Sequence, residues 1–246
     1  MSVETSPDPT LISELVVGNH ILYDHGVVDA FGHISARHDK HPDRFLLARN
    51  MAPGSVTATD ILEFHLDGSP VDPQGPRPYL ERFIHGEIYA ARPDVMAVVH
   101  SHSHSIVPLS ISKEVRLRAV SHMAGFIGTE APLFEIRDAG GPATDLLIRS
   151  PELGKALARS LGAANIVLMR GHGSTVTAPS VRLAVYRAVY AELNARYQSE
   201  AMRHGAIEPL TAEEAAACAA STEGQVQRPW DLWTRQAAER RRMPAR

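Results

Sequence analysis

Cysteine is nearly missing from this chain. Cys218 is the single one in 246 residues, which excludes an intramolecular disulfide. It lies in an alanine-rich run, 215–220, whose expected role is the close packing of a small-residue helix. No stretch approaches the ~18 continuous apolar residues of a membrane span, and residues 1–9 lack the basic and apolar regions of a secretory signal. A soluble, cytoplasmic protein with no membrane partner is the expectation. An excess of charge is absent as well. The formal net charge of −3 offers no field for a nucleic-acid backbone, so no nucleic-acid partner is expected. Internal repeats, low-complexity linkers and compositional breaks are also absent, and 44% of the residues are hydrophobic, so residues 1–246 read as one α/β domain.

What the chain does contain is an apolar run, 95–99, ending in His100, His102 and His104 at alternate positions. Bounded by Pro93 and Asp94, the run reads as a buried strand whose side-chain period of two puts the imidazoles on one face. Imidazoles at a strand end can reach one metal ion at roughly 2.0 to 2.1 Å, whereas a lone histidine would read as a satisfied core residue. A second buried apolar strand, 166–169, runs into Arg170-Gly171-His172-Gly173. Two glycines let the backbone turn tightly around a histidine at the strand's end, where ligand-bearing residues collect in sheets covered by helices. His172 is the third candidate ligand.

Local patterns assign the remaining elements. Residues 11–22 have helical spacing, and 31–37 and 44–48 read as a hairpin around the polar turn 38–43. A third strand spans 61–66, and the proline-rich stretch 70–78 is a loop. The next helix runs over 80–91, with Leu80, Phe83, Ile84 and Ile88 on its apolar face and Glu81 and His85 one turn apart beside it. A helical turn at 106–111, an extended segment at 115–119, a strand at 131–136 and helices at 151–161 and 181–201 follow. Residues 235–246 are arginine-rich and read as a solvated tail. Trp230 and Trp233 either close the pocket of a neighbouring subunit or pack on their own domain.

Glu81, the His100/His102 pair behind Arg92-Pro93-Asp94, and the Arg170-Gly171-His172-Gly173 loop together resemble the class II aldolase/adducin family. The likeness in order and spacing covers a core of residues 10–205 and leaves 206–246 as a C-terminal extension. It implies a three-layer α/β/α sandwich with a mainly antiparallel central sheet, in a homo-oligomer, usually a tetramer, with active sites at subunit interfaces. It also implies one divalent metal per subunit, zinc, manganese or iron, held by His100, His102 and His172, with Glu81 as fourth ligand or acid/base. His104 lies beyond the family's pair and is assigned a structural role.

The departures from the family's sugar-phosphate enzymes narrow the expected chemistry. Where those enzymes carry small hydroxyls and an asparagine for a phosphate, this chain reads Gly32-His33-Ile34-Ser35 and Pro78-Tyr79-Leu80-Glu81. A phosphate dianion needs several converging donors, which Tyr79-Leu80 does not supply. His33, Arg37, Arg49 and Arg82 are the candidate substrate-binding residues instead, because arginine's planar fork suits a carboxylate. His122 stands where the aldolases place a tyrosine proton donor, and is a candidate catalytic residue with Glu81 and His85. These features resemble the pyridine-dicarboxylate and dihydroxyphthalate decarboxylases of the family. The implied activity is that of a metal-dependent carboxy-lyase on a small hydroxylated aromatic or pyridine (di)carboxylate, through a metal-stabilised enolate or phenolate. A metal-dependent aldolase or epimerase of a small sugar or sugar phosphate is the alternative enzyme, with oxygen-dependent iron chemistry as a related one. An adducin-like, non-catalytic interaction module is the alternative outside enzymes.

Overall fold

The computed structural model describes residues 6–242. Asp8 accepts a hydrogen bond from Thr10 N and Pro9 opens the first turn, so helix α1 (Pro9–Asp24) begins with a side-chain cap. Strand β1 (His33–Arg37) pairs with β2 (Arg44–Ala48), and β2 with β3 (Ile61–His65). Helix α2 (Arg82–Ala91) leads to β4 (Ala97–Ser101), the short α3 (Ile106–Ile111) and the two-residue β5 (Leu133–Phe134). One turn, α4 (Arg137–Gly140), and helix α5 (Pro151–Leu161) precede β6 (Ile166–Met169), β7 (Gly173–Ala178) and the long α6 (Val181–Met202). Helices α7 (Ala212–Glu223) and α8 (Gln227–Arg242) complete the described chain.

The strands form one sheet in the order β3-β2-β1-β4-β7-β6-β5, antiparallel at every step except β5 beside β6. Alternation along the strands gives the sheet two unlike faces. Ile34, Ala36, Ala97 and Val99 pack into the core shared with α1 and α6. Val98 and Val167 pack with Ile84 and Ile88 of α2 and Leu157 of α5, and His33, Ser35, Arg37 and His100 lie on this second face. The expected α/β/α sandwich is therefore the one observed.

Several elements differ from expectation, each for a physical reason. Strand β7, Gly-Ser-Thr-Val-Thr-Ala, carries no apolar run, yet it lies between β4 and β6 and all six residues are buried. Backbone pairing on both sides makes it a strand. The extended segment near 115–119 joins no ladder; instead the side-chain amides of Asn194 and Gln198 on α6 hydrogen-bond the backbone of Arg116, Arg118 and Val120. The arginine-rich end is not a free tail: it is helical through Arg242, and Arg240 and Arg241 pair with Asp24 at the end of α1. Residues 1–5 and 243–246, which the readings of the opening segment and the tail include, lie outside the described residues. Trp230 and Trp233 are buried against their own chain, under Arg182 and beside His25 and Tyr190. Among the described residues no helix is long and apolar enough to cross a membrane.

Arg37 corrects the expectation of a substrate-binding residue. Its guanidinium is buried and donates to the carbonyls of Tyr89 (2.7 Å) and Arg92 (3.1 Å) at the C-terminus of α2, and to those of Pro42 and Val95. It caps a helix whose last carbonyls have no partner of their own, where a cation also meets the negative end of the helix dipole. Arg37→Met keeps the length but leaves these acceptors unpaired. The expected loss is about 3 kcal/mol of unfolding free energy, measured by urea denaturation, with the activity of the remaining folded protein unchanged.

Candidate metal centre

Pairing of β1 with β4 sets His33 directly opposite His100, and pairing of β4 with β7 sets Ser101 opposite Ser174. The chain reverses between β6 and β7 at Arg170-Gly171-His172-Gly173. Gly171 has φ 65°, the left-handed conformation that costs other residues most. Gly173 meets a different demand: a Cβ there would lie 2.0 Å from the carbonyl oxygen of Ser101. That contact brings His172 beside the end of β4.

After Ser101 the chain leaves the sheet, and Glu192 of α6 holds the departing segment. Its carboxylate accepts from Ser105 N (3.1 Å), Ser105 Oγ (2.5 Å) and the Ser103 hydroxyl. His102 is thereby turned back toward His100, with the two Nε2 atoms 3.3 Å apart. His104 is exposed and outside the cluster, because the strand and its alternation stop at Ser101. Glu81 stands just before α2; its Oε1 accepts from Ile148 N at 2.9 Å, and its Oε2 lies 3.6 Å from His100 Nε2 and 3.5 Å from His172 Nε2.

The four side chains Glu81, His100, His102 and His172 each bring one ligand atom to within 4.8 Å of the others. His100 Nδ1–H donates to Ser174 O at 3.1 Å, leaving Nε2 as a lone pair aimed into the cluster. Burial, with the neighbouring imidazoles, holds His100 well below the usual histidine range, so this lone pair is free. Both ring nitrogens of His172 are buried and have no hydrogen-bond partner among the described residues. Ligands placed tetrahedrally at roughly 2.0 to 2.1 Å from an ion lie about 3.4 Å from one another, close to the spacings here. A three-imidazole, one-carboxylate set therefore fits a divalent transition metal and does not by itself select which one.

A cavity of about 350 Å³ opens beside the cluster. Phe31, Met51, Leu80 and Leu147 form apolar wall, and His33, Tyr79, Glu81 and His102 supply polar groups. Tyr79 donates its hydroxyl to Met51 O, and burial pushes its phenol up to about 12. Of the expected substrate residues, only His33 lines this cavity. Arg49 is drawn off by Asp60 (2.6 Å), and Arg82 donates to Gly68 O and Tyr79 O and stacks on Phe83. His85 does not contact Glu81. It is completely buried behind His33, with Nε2 2.7 Å from His33 Nδ1 and Nδ1 2.6 Å from Ser35 Oγ. Burial lowers it to about 3, so it is a neutral imidazole.

His122 is exposed and lies at a second cavity of about 490 Å³, with Met123, Tyr186, Tyr190 and Trp233. Within one chain it does not join the ligand cluster. Sequence reasoning missed Phe31, Met51 and Leu147, which sit on three separate loops with no shared local pattern. It also missed Ser35 and Tyr89, although Ser35 shares a β1 face with His33 and Tyr89 lies one turn after His85.

Comparison with known proteins agrees with this arrangement. The class II aldolase and adducin N-terminal domain matches residues 13–199. Decarboxylase tropJ of Talaromyces stipitatus is 38% identical across 92% of this chain and 93% of its own length. A 3,4-dihydroxyphthalate decarboxylase of Terrabacter is 29% identical across 78% of this chain and 82% of its own. An aldolase II superfamily protein from Pseudomonas syringae superposes with a TM-score of 0.76 over 96% of this chain and 95% of its own, at 23% identity. The matched range contains all seven strands and the positions of the four clustered side chains, and the chain belongs to the class II aldolase and adducin family.

Proposed function

We propose that the protein is a divalent-metal-dependent decarboxylase of a hydroxylated aromatic or pyridine carboxylate. The observation that carries the reading is the Glu81–His100–His102–His172 cluster at the edge of an apolar-walled cavity that holds one ring and offers no cradle of hydroxyls for a phosphate. The similarity to two decarboxylases supports it. His100, His102 and His172 are the proposed metal ligands, with Glu81 beside them. A divalent ion held there supplies Lewis acidity, which stabilises negative charge on an oxygen next to the breaking carbon–carbon bond.

The chain's own groups do the rest. Phe31, Met51 and Leu80 supply apolar wall against which a planar ring can pack. Glu81 Oε1 is occupied by Ile148 N, so Oε2, which faces His100 and His172, is the oxygen proposed to take the proton of an ortho hydroxyl. Carbon dioxide leaves, and the electron pair stays with the ring carbon, which then takes a proton. His122 is the proposed donor of that proton. Because it lies at a separate cavity of its own chain, it is proposed to serve the site of a neighbouring copy, in a homo-oligomer such as a tetramer.

His100→Ala is expected to lose bound metal and to lower turnover by about a thousandfold, read by elemental analysis and carbon dioxide release on the same sample. A panel of hydroxylated benzene and pyridine dicarboxylates, supplied with zinc, manganese or iron, tests the reaction class: carbon dioxide release supports a decarboxylase, and an aldehyde from a sugar substrate instead supports an aldolase. His122→Ala should lower turnover by about a hundredfold with metal content unchanged. Mixing it with His100→Ala subunits should restore activity; mixtures as inactive as their parents exclude donation between copies.

A further inference from the structure

A line of four polar side chains crosses the otherwise apolar core between β1 and α2. Tyr89 Oη lies 2.7 Å from Ser35 Oγ, Ser35 Oγ 2.6 Å from His85 Nδ1, and His85 Nε2 2.7 Å from His33 Nδ1. All four are buried, and Phe45 stacks against His85. Apolar residues of the same size would fill this space without the cost of removing four polar groups from water. The line ends at the cavity, where His33 lies between Tyr79 and His100.

Proton counting gives the line a direction. The Tyr89 phenol is pushed up by burial and keeps its proton. Among the described residues Ser35 Oγ is the one hydrogen-bond partner of the Tyr89 hydroxyl, so the phenol's own proton is directed to Ser35 Oγ. Ser35, having accepted one proton, donates its own to His85 Nδ1. A neutral His85 then carries its proton on Nε2 and donates it to His33 Nδ1. His33, accepting at Nδ1, has its proton on Nε2, the nitrogen left to the cavity. Run the other way, the line would leave the Tyr89 proton without an acceptor in a fully buried place.

We propose that Tyr89, Ser35 and His85 form a one-way hydrogen-bond relay that keeps Nδ1 of His33 as acceptor and its proton on Nε2, and so makes it a hydrogen-bond donor to the substrate's carboxylate or hydroxyl oxygen. Ser35, His85 and Tyr89 are positioning residues; His33 is the group that touches substrate. The donor role rests on the decarboxylase reading, whereas the proton placement does not.

Nitrogen-15 labelling of the histidines in the full chain, with zinc supplied as a diamagnetic ion, reads the proton positions by NMR, His33 being assigned from its loss in His33→Asn. The expected spectrum has His33 Nδ1 unprotonated, His33 Nε2 protonated, and the shared proton bonded to His85 Nε2. A proton on His33 Nδ1 overturns the proposal. In Ser35→Ala the His33 nitrogens should shift toward averaged positions as the relay loses its direction; an unchanged tautomer in the folded variant shows that the relay does not set it. In turnover, His33→Asn retains a donor and should keep kcat/KM within about tenfold, while His33→Phe should lose about a hundredfold or more. Equal losses refute donation to substrate. If no hydroxylated aromatic acid is decarboxylated, the functional reading fails while the proton positions remain readable.

Discussion

The candidate metal centre depends on one close approach, that of the start of β7 to the end of β4. Gly173 packs against the Ser101 carbonyl with no room for a side chain, and His172 is thereby held beside His100 and His102. A larger residue would force the two strand ends apart and separate ligands that come from opposite sides of a sheet ladder. Glu81 reaches the same point from another layer, aimed by the Ile148 amide. Three imidazoles and a carboxylate drawn together largely out of water are costly to desolvate. Their convergence, with the ring nitrogens of His172 lacking a hydrogen-bond partner among the described residues, is the arrangement expected where an ion provides the compensating interaction.

The two faces of the sheet divide the work of stability and chemistry. Toward α1 and α6 the central strands present Ile34, Ala36, Ala97, Val99, Val176 and Ala178 to an aliphatic core. Toward α2, strand β1 presents His33, Ser35 and Arg37 in succession, and each uses a different part of that helix. Arg37 closes the α2 C-terminus, Ser35 contacts His85 and Tyr89 from its middle, and His33 meets the cavity near its start. One strand thus anchors a helix at one end and prepares a reactive surface at the other. The rigidity that capping and packing give α2 is what lets Glu81, just before its first turn, serve as a fixed group.

Local patterns reveal the parts of the fold with a strong period. Helices α1, α2, α5 and α6 and strands β1 to β4 and β6 follow from apolar spacing, because helix and strand periods differ and each element buries one face. Strand β7 is hidden by its serines and threonines, since its partners lie far away in the chain. The cavity walls are hidden for a related reason: Phe31, Met51 and Leu147 meet only after three loops have been brought together.

The sequence by itself singled out the candidate cluster, Glu81 with His100, His102 and His172, and the family to which the chain belongs. Few residue types bind a transition metal, and strand ends and glycine-flanked turns mark themselves locally. Only the tertiary structure decided how the other polar residues are used. Arg37, Arg49 and Arg82 are equally plausible carboxylate binders as letters, but a guanidinium goes to whichever acceptor the folded chain places nearest, and here those are helix carbonyls, Asp60 and loop carbonyls. His85 and His122 were likewise alike in sequence; burial behind His33 made one a link in a hydrogen-bonded line, and the other is exposed at a separate cavity, outside its own chain's candidate metal cluster.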